Sequence, residues 1–270
     1  MVLSYVPTSQ GGIFLELPRS SVPALVLLSA LIFLAGFLAG WTPPAASRPA
    51  DHDLLYQVST YTSLSGGGYS GFVPVGEFME HGDLGLGTFD GLDGEMVVLD
   101  GQCYQVKADG SVANPAPSAL VPFAAVTPFE ADIIVPGITA PNLSRFTAAL
   151  DASLPSHDTF WAVRMTGSFP YVKARSPPKQ ARPYAVLTDA LKNQSVFLFH
   201  NVSGTVVGFY TPASAAGVDP VGFHLHFITA DRQAGGHVLD ISTDGDPVEL
   251  DSTSRIILVL PGETSPPATP

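Results

Sequence analysis

The stretch GFHLHFITADRQAGGHVLD, Gly222 to Asp240, decides the reading of this chain. It holds three of the seven histidines: His224, His226 and His237. Around the first two the chain is apolar and rich in strand formers (Val221, Phe223, Phe227, Ile228), which favours an extended strand. Side chains two apart on a strand share a face, so His224 and His226 project together while Leu225 points away. Ala230 to Gly236 is rich in turn formers and ends in a Gly-Gly pair suited to reversing the chain. The following HVLD then returns beside the first strand and brings His237 to the pair. Three imidazoles buried without a shared partner would be costly. Three converging neutral imidazoles are instead what a zinc-type site with open positions uses, and a cupin-like or dioxygenase-like iron site is the competing metal reading. Spacing alone leaves the metal open.

The bulk properties narrow the class. The 270 residues are 46% hydrophobic and only 13% charged, with 26 glycines and 25 prolines, a mix that suits strands and turns better than a helical bundle. A net charge of -12 argues against nucleic acid as a partner, because phosphates would be repelled. The single cysteine, Cys103, excludes an internal disulfide and a cysteine-based zinc site, and reads as a small core residue.

Val22 to Trp41 is a run of 20 uncharged residues, about the length that crosses a bilayer. A signal anchor and a long cleaved signal peptide both fit it, and either places the rest of the chain outside the cytoplasm, secreted or membrane-anchored. Arg19 and Arg48 flank it one on each side, so the positive-inside rule is almost silent on orientation. Three of the four asparagines, Asn142, Asn193 and Asn201, stand in Asn-x-Ser sequons and are candidate glycan sites on exposed turns.

The expected plan is an N-terminal cytosolic or signal n-region segment (1–21), the hydrophobic segment (22–41), a Pro-rich linker (42–50), an N-terminal sheet half (51–154), a C-terminal sheet half carrying the histidines (155–262) and a disordered tail (263–270). Four Asp-Gly pairs, at Asp90, Asp93, Asp100 and Asp109, are hairpin chemistry and predict an antiparallel meander. Leu143, Phe146, Leu150 and Leu154 recur at helical spacing and predict a helix between the halves. Thr166-Gly167 is expected to turn the chain within DTFWAVRMTGSFPYVKARS. The fold class that follows is strand-rich α/β (α+β), two halves each built on a mixed or antiparallel sheet with few helices.

HGDLGLGTFDGLDGEMVVLDG, GTVVGFYTP and the histidine segment, taken together in this order, resemble the alpha-acetolactate decarboxylase family. The resemblance runs from about Leu54 to Leu260, nearly all of the expected folded part. It implies a carboxy-lyase that converts (S)-2-acetolactate to (R)-acetoin and carbon dioxide on a zinc ion, without thiamine or pyridoxal. His224, His226 and His237 match the family's zinc ligands. Glu95, in LDGEM, and Arg175, in YVKARS, match its catalytic glutamate and arginine. On its own residues Glu95 reads as a turn glutamate at the start of a strand, so its role rests on the resemblance. Thr88, in GLGTF, is expected in the pocket wall, while Arg164 and Arg232 read as a strand and a turn residue. The family also implies a homodimer and an acidic residue from a longer C-terminal tail, for which only Glu263 remains here. Two rivals stand beside this reading: another three-histidine metalloenzyme such as an iron oxygenase, and an extracellular binding module of the same fold without catalysis.

Overall fold

The computed structural model describes residues 53–262. The hydrophobic segment 22–41, the linker and the tail with Glu263 lie outside the described residues. Among those described, no helix is long and apolar enough to cross a membrane.

The chain opens with β1 (Leu54–Val58), α1 (Tyr61–Ser65), β2 (Val73–Pro74) and α2 (Val75–Phe78). A meander follows through β3 (Leu84–Thr88), β4 (Glu95–Leu99), β5 (Gln102–Val106) and β6 (Val112–Ala113). Next come β7 (Leu120–Val121), β8 (Phe123–Thr127), β9 (Ile133–Val135), β10 (Thr139–Ala140) and α3 (Leu143–Asp151). The last part holds β11 (Phe160–Ser176), α4 (Leu187–Ala190), β12 (Ser195–Thr211), β13 (Gly222–Thr229), β14 (Gly235–Asp244), β15 (Val248–Thr253) and β16 (Arg255–Val259).

Two seven-stranded sheets result, ordered β16-β1-β8-β3-β4-β5-β6 and β10-β14-β13-β12-β11-β15-β9. The first is mixed, because β16 runs parallel to β1 while the others alternate, and the second is antiparallel. The fold is therefore strand-rich with few helices, as the composition implies. Each sheet also takes strands from the other part of the chain: β16 joins the first, β9 and β10 the second. β11 pairs with β14 as well as β12, so β11 to β14 close on themselves.

Local chemistry explains these elements. Asp100 and Gly101 both take positive φ (52° and 71°) between the paired Leu99 and Gln102, the two-residue turn that Asp-Gly favours. Asn142 caps α3 by accepting from the Arg145 N–H, and the helix buries Phe146 and Leu150 on the second sheet. The expected turn at Thr166-Gly167 is not made: β11 continues straight through it, paired to Thr205 and Gly204 of β12. Gly167 is there for a close approach instead, since an added Cβ would lie 2.0 Å from the Asp246 carboxylate, which accepts from the Ser168 N–H.

Alternation along the strands builds three apolar layers. Val206 and Tyr210 of β12 face inward with α3, whereas Val207 and Phe209 face the first sheet. There they meet Leu84, Leu86 and Val97, so the two sheets pack face to face. The far side of the first sheet is covered by Phe78 and Val75 of α2. Cys103 is buried there, and burial pushes its thiol up to about 12, as fits a packing residue.

Candidate metal centre

β13 inherits the alternation of β12. Leu225 and Phe227 enter the layer beneath α3, and Ile228 enters the layer between the sheets. His224 and His226 lie on the Ile228 face, so they point toward the first sheet. His226 stands directly opposite His237 on β14, and His237 stands opposite Arg175 on β11. One row of cross-strand neighbours thus holds two histidines and the arginine.

The reversal between β13 and β14 differs from the expected Gly-Gly turn. Ala230–Ala234 makes it, closed by the Thr229 N–H donating to the Ala234 carbonyl, with Arg232 at φ 60°. Gly235 and Gly236 lie inside β14. Gly236 has φ 136°, and an added Cβ would fall 2.3 Å from the Arg175 carbonyl oxygen. The glycine pair lets β14 pass close to β11; it does not turn the chain.

The three imidazoles form a compact cluster, with ring centroids 5.0–5.2 Å apart. One nitrogen from each lies within 4.8 Å of the others. The His226 Nδ1–H donates to the Met96 carbonyl of β4 at 2.7 Å, which leaves Nε2 with its lone pair. The His224 Nδ1–H donates to the Asp219 carboxylate at 3.3 Å and likewise leaves Nε2 free. Burial, then the neighbouring His224, hold His226 and His237 well below the usual imidazole range, so both are neutral near pH 7. Two nitrogens bound tetrahedrally at about 2.0–2.1 Å stand about 3.3 Å apart. His237 Nδ1 and His226 Nε2 are 3.3 Å apart. The donor set fits a metal ion.

Glu95, at the start of β4, brings Oε2 to 3.5 Å from His226 Nε2 and Oε1 to 3.8 Å from Arg175 Nε. Burial is the main reason its carboxyl is pushed up to about 7, against the lowering pull of Arg175 and His224. Arg175 Nε is buried without a hydrogen-bond partner, an ion-pair contact but not a hydrogen bond. These groups line a cavity of about 300 Å³ whose remaining wall is largely apolar, including Leu64, Phe123, Leu143, Leu187 and Phe223. A small polar molecule with short alkyl groups matches such a chamber.

The sequence profile of the alpha-acetolactate decarboxylase family matches residues 55–266. This chain belongs to that family. An alpha-acetolactate decarboxylase of Methanosarcina mazei is 51% identical over 209 residues, 77% of this chain and 73% of that protein. One from Bacillus licheniformis is 40% identical, over 79% of this chain and 85% of that protein. The crystal structure of alpha-acetolactate decarboxylase from Bacillus subtilis strain 168 superposes with a TM-score of 0.75 at 37% identity, covering 78% of this chain and 90% of that one.

In this decarboxylase, Thr88 lies buried in the cavity wall, its hydroxyl donating to the Gly94 carbonyl at 2.7 Å. Arg164 stands away from the centre, paired with Glu249 at 2.6 Å, and Arg232 donates to the Thr229 carbonyl of its own turn. Asn142, Asn193 and Asn201 are exposed. Sequence reasoning missed Asp219 and Met96. Met96 contributes a backbone carbonyl, which any residue carries, and nothing in the spacing of VDPVGFHLH ties its aspartate to the histidine five residues on.

Proposed function

We propose that this chain decarboxylates 2-acetolactate to acetoin with a zinc ion held by His224, His226 and His237. The observation that carries this reading is the convergence of three imidazoles beside a buried carboxyl and a guanidinium, in a chain of the decarboxylase family. When bound, the ion supplies Lewis-acid stabilisation of charge developing on substrate oxygens. Loss of carbon dioxide breaks a carbon–carbon bond and leaves its electron pair conjugated with the adjacent ketone. One proton must then reach that carbon to give acetoin.

The chain's own groups divide this work. Arg175 Nε, buried and without a hydrogen-bond partner, receives the anionic substrate and holds its carboxylate for departure. Glu95, whose Oε2 stands 3.5 Å from His226 Nε2, is the carboxyl placed to deliver that proton. The apolar wall takes the two methyl groups and keeps bulk water from competing for the carbanion. β16 ends with the Val259 carbonyl accepting from the Ser59 N–H at 2.8 Å, two residues before the cavity-lining Tyr61. Glu263, which lies outside the described residues, is the tail carboxylate that this reading calls for.

The test is acetoin formation from racemic acetolactate by the purified chain, with and without a chelator and with oxygen removed. Chelator-sensitive, oxygen-independent acetoin is expected, with Glu95→Gln and Arg175→Ala each lowering turnover by about 10²–10⁴-fold while bound metal stays near that of the parent. An iron-loaded chain whose product requires oxygen would point to the oxygenase reading.

A further inference from the structure

We infer that Asp219 is the positioning residue of the metal centre, fixing His224 as a ligand through its Nδ1–H; this rests on the three-histidine reading above. The three imidazoles are supported unequally. His226 is held by a neutral carbonyl, Met96, at 2.7 Å. Among the described residues, the His237 ring has His226 as its hydrogen-bond partner, at 3.3 Å. The His224 Nδ1–H is instead held by a carboxylate, Asp219 Oδ1, at 3.3 Å.

Asp219 is 1% exposed, and its second oxygen, Oδ2, is buried without a hydrogen-bond partner. A carboxylate oxygen that accepts the Nδ1–H of a ligating imidazole would make the ring a better donor through Nε2 and fix its tautomer and orientation.

The loop that carries Asp219 is clamped. The Tyr61 N–H donates to the Val218 carbonyl at 2.9 Å, and the Thr62 N–H to the Gly217 carbonyl at 3.0 Å. Gly217 has φ 90°, and an added Cβ would meet the Thr62 hydroxyl at 2.7 Å. The first turn of α1 therefore sets where Asp219 stands, and through it the His224 ring. Tyr61 and Leu64 of that helix also line the cavity. A segment that touches no metal thus links the cavity wall to the ligand set.

The experiment titrates the full, metal-stripped chain with zinc against a chromophoric chelator, for the parent, Asp219→Asn and Asp219→Ala. Both variants are expected to bind zinc about 10–100-fold more weakly. A second readout is the His224 Nδ1–H proton in the zinc-loaded, ¹⁵N-histidine-labelled chain. It should resonate far downfield in the parent and move upfield in Asp219→Asn, a change that general loosening of the loop does not produce. Affinities within about two-fold of the parent, or an unmoved proton signal in Asp219→Asn, would overturn the assignment. Asp219→Asn keeps the shape of the side chain, so it serves if Asp219→Ala does not fold. Failure of the parent itself to bind zinc would instead sink the three-histidine reading on which the inference stands.

Discussion

Glu95 shows how one side chain acquires its chemistry from its surroundings. In a solvated turn it would be an ordinary carboxylate, the reading its Asp-Gly-Glu context suggests; at the start of β4 it is buried against the histidines and pushed up to about 7 from 4.5. The folded chain therefore keeps this proton across a window, pH 4.5 to about 7, in which the unfolded chain has released it. With the folded value raised, the stability Glu95 contributes is fully present below that window and is lost as pH rises through it. In the metal-free chain, Glu95→Gln should gain on the parent in thermal stability between pH 4.5 and pH 7.5. Unfolding both proteins across that range checks it, and a pH-independent gap would contradict the buried, proton-holding carboxyl. At this scale the sequence was legible unevenly. The histidines declared themselves by type and spacing, Glu95 and Arg175 needed the family resemblance, and the Met96 carbonyl was invisible because a backbone group carries no letter.

Among the elements, the β13–β14 pair does most to assemble the site, and two of its glycines separate space from backbone conformation. Gly222 has φ 85° with nothing near the position of an added Cβ, so Gly222→Ala should cost only the left-handed backbone, about 1–2 kcal/mol. Gly236 also has positive φ, but there the Cβ meets the fixed Arg175 carbonyl oxygen at 2.3 Å. Overpacking adds about 1–3 kcal/mol and pushes β14, with His237, off β11. Chemical denaturation should rank Gly236→Ala clearly below Gly222→Ala, with weakened metal binding in the former alone; equal losses would mean that the close approach is not tight. The sequence announced this pair of strands, with His237 returned near His224 and His226, through the period-two placement of the first two histidines and the turn formers after them. It misled on the glycines, at Gly235-Gly236 and at Gly167, because the same residue serves a turn and a close approach. Only the partner's position tells the two apart.

On the scale of the whole molecule, the centre belongs to neither sheet alone. The second sheet supplies the three histidines and Arg175, while the first supplies Glu95 and the carbonyl that orients His226. The layer of Leu86, Val97, Val207 and Phe209 between the sheets holds the two sets in register. Fold class was legible from composition, Asp-Gly turns and strand patterning. The trading of edge strands was not, since β9, β10 and β16 are short and their pairing is decided by tertiary packing rather than local propensity. The account's central claim is that turnover depends on one metal ion held by the three histidines. Its most direct test adds zinc stepwise to the metal-free chain while acetoin formation is measured. Activity should rise in proportion to zinc and level off at about one equivalent per chain, the count expected for a single three-histidine site, with His226→Ala staying inactive throughout. Full acetoin production by the metal-free chain, or a His226→Ala variant that matches the parent, would contradict it.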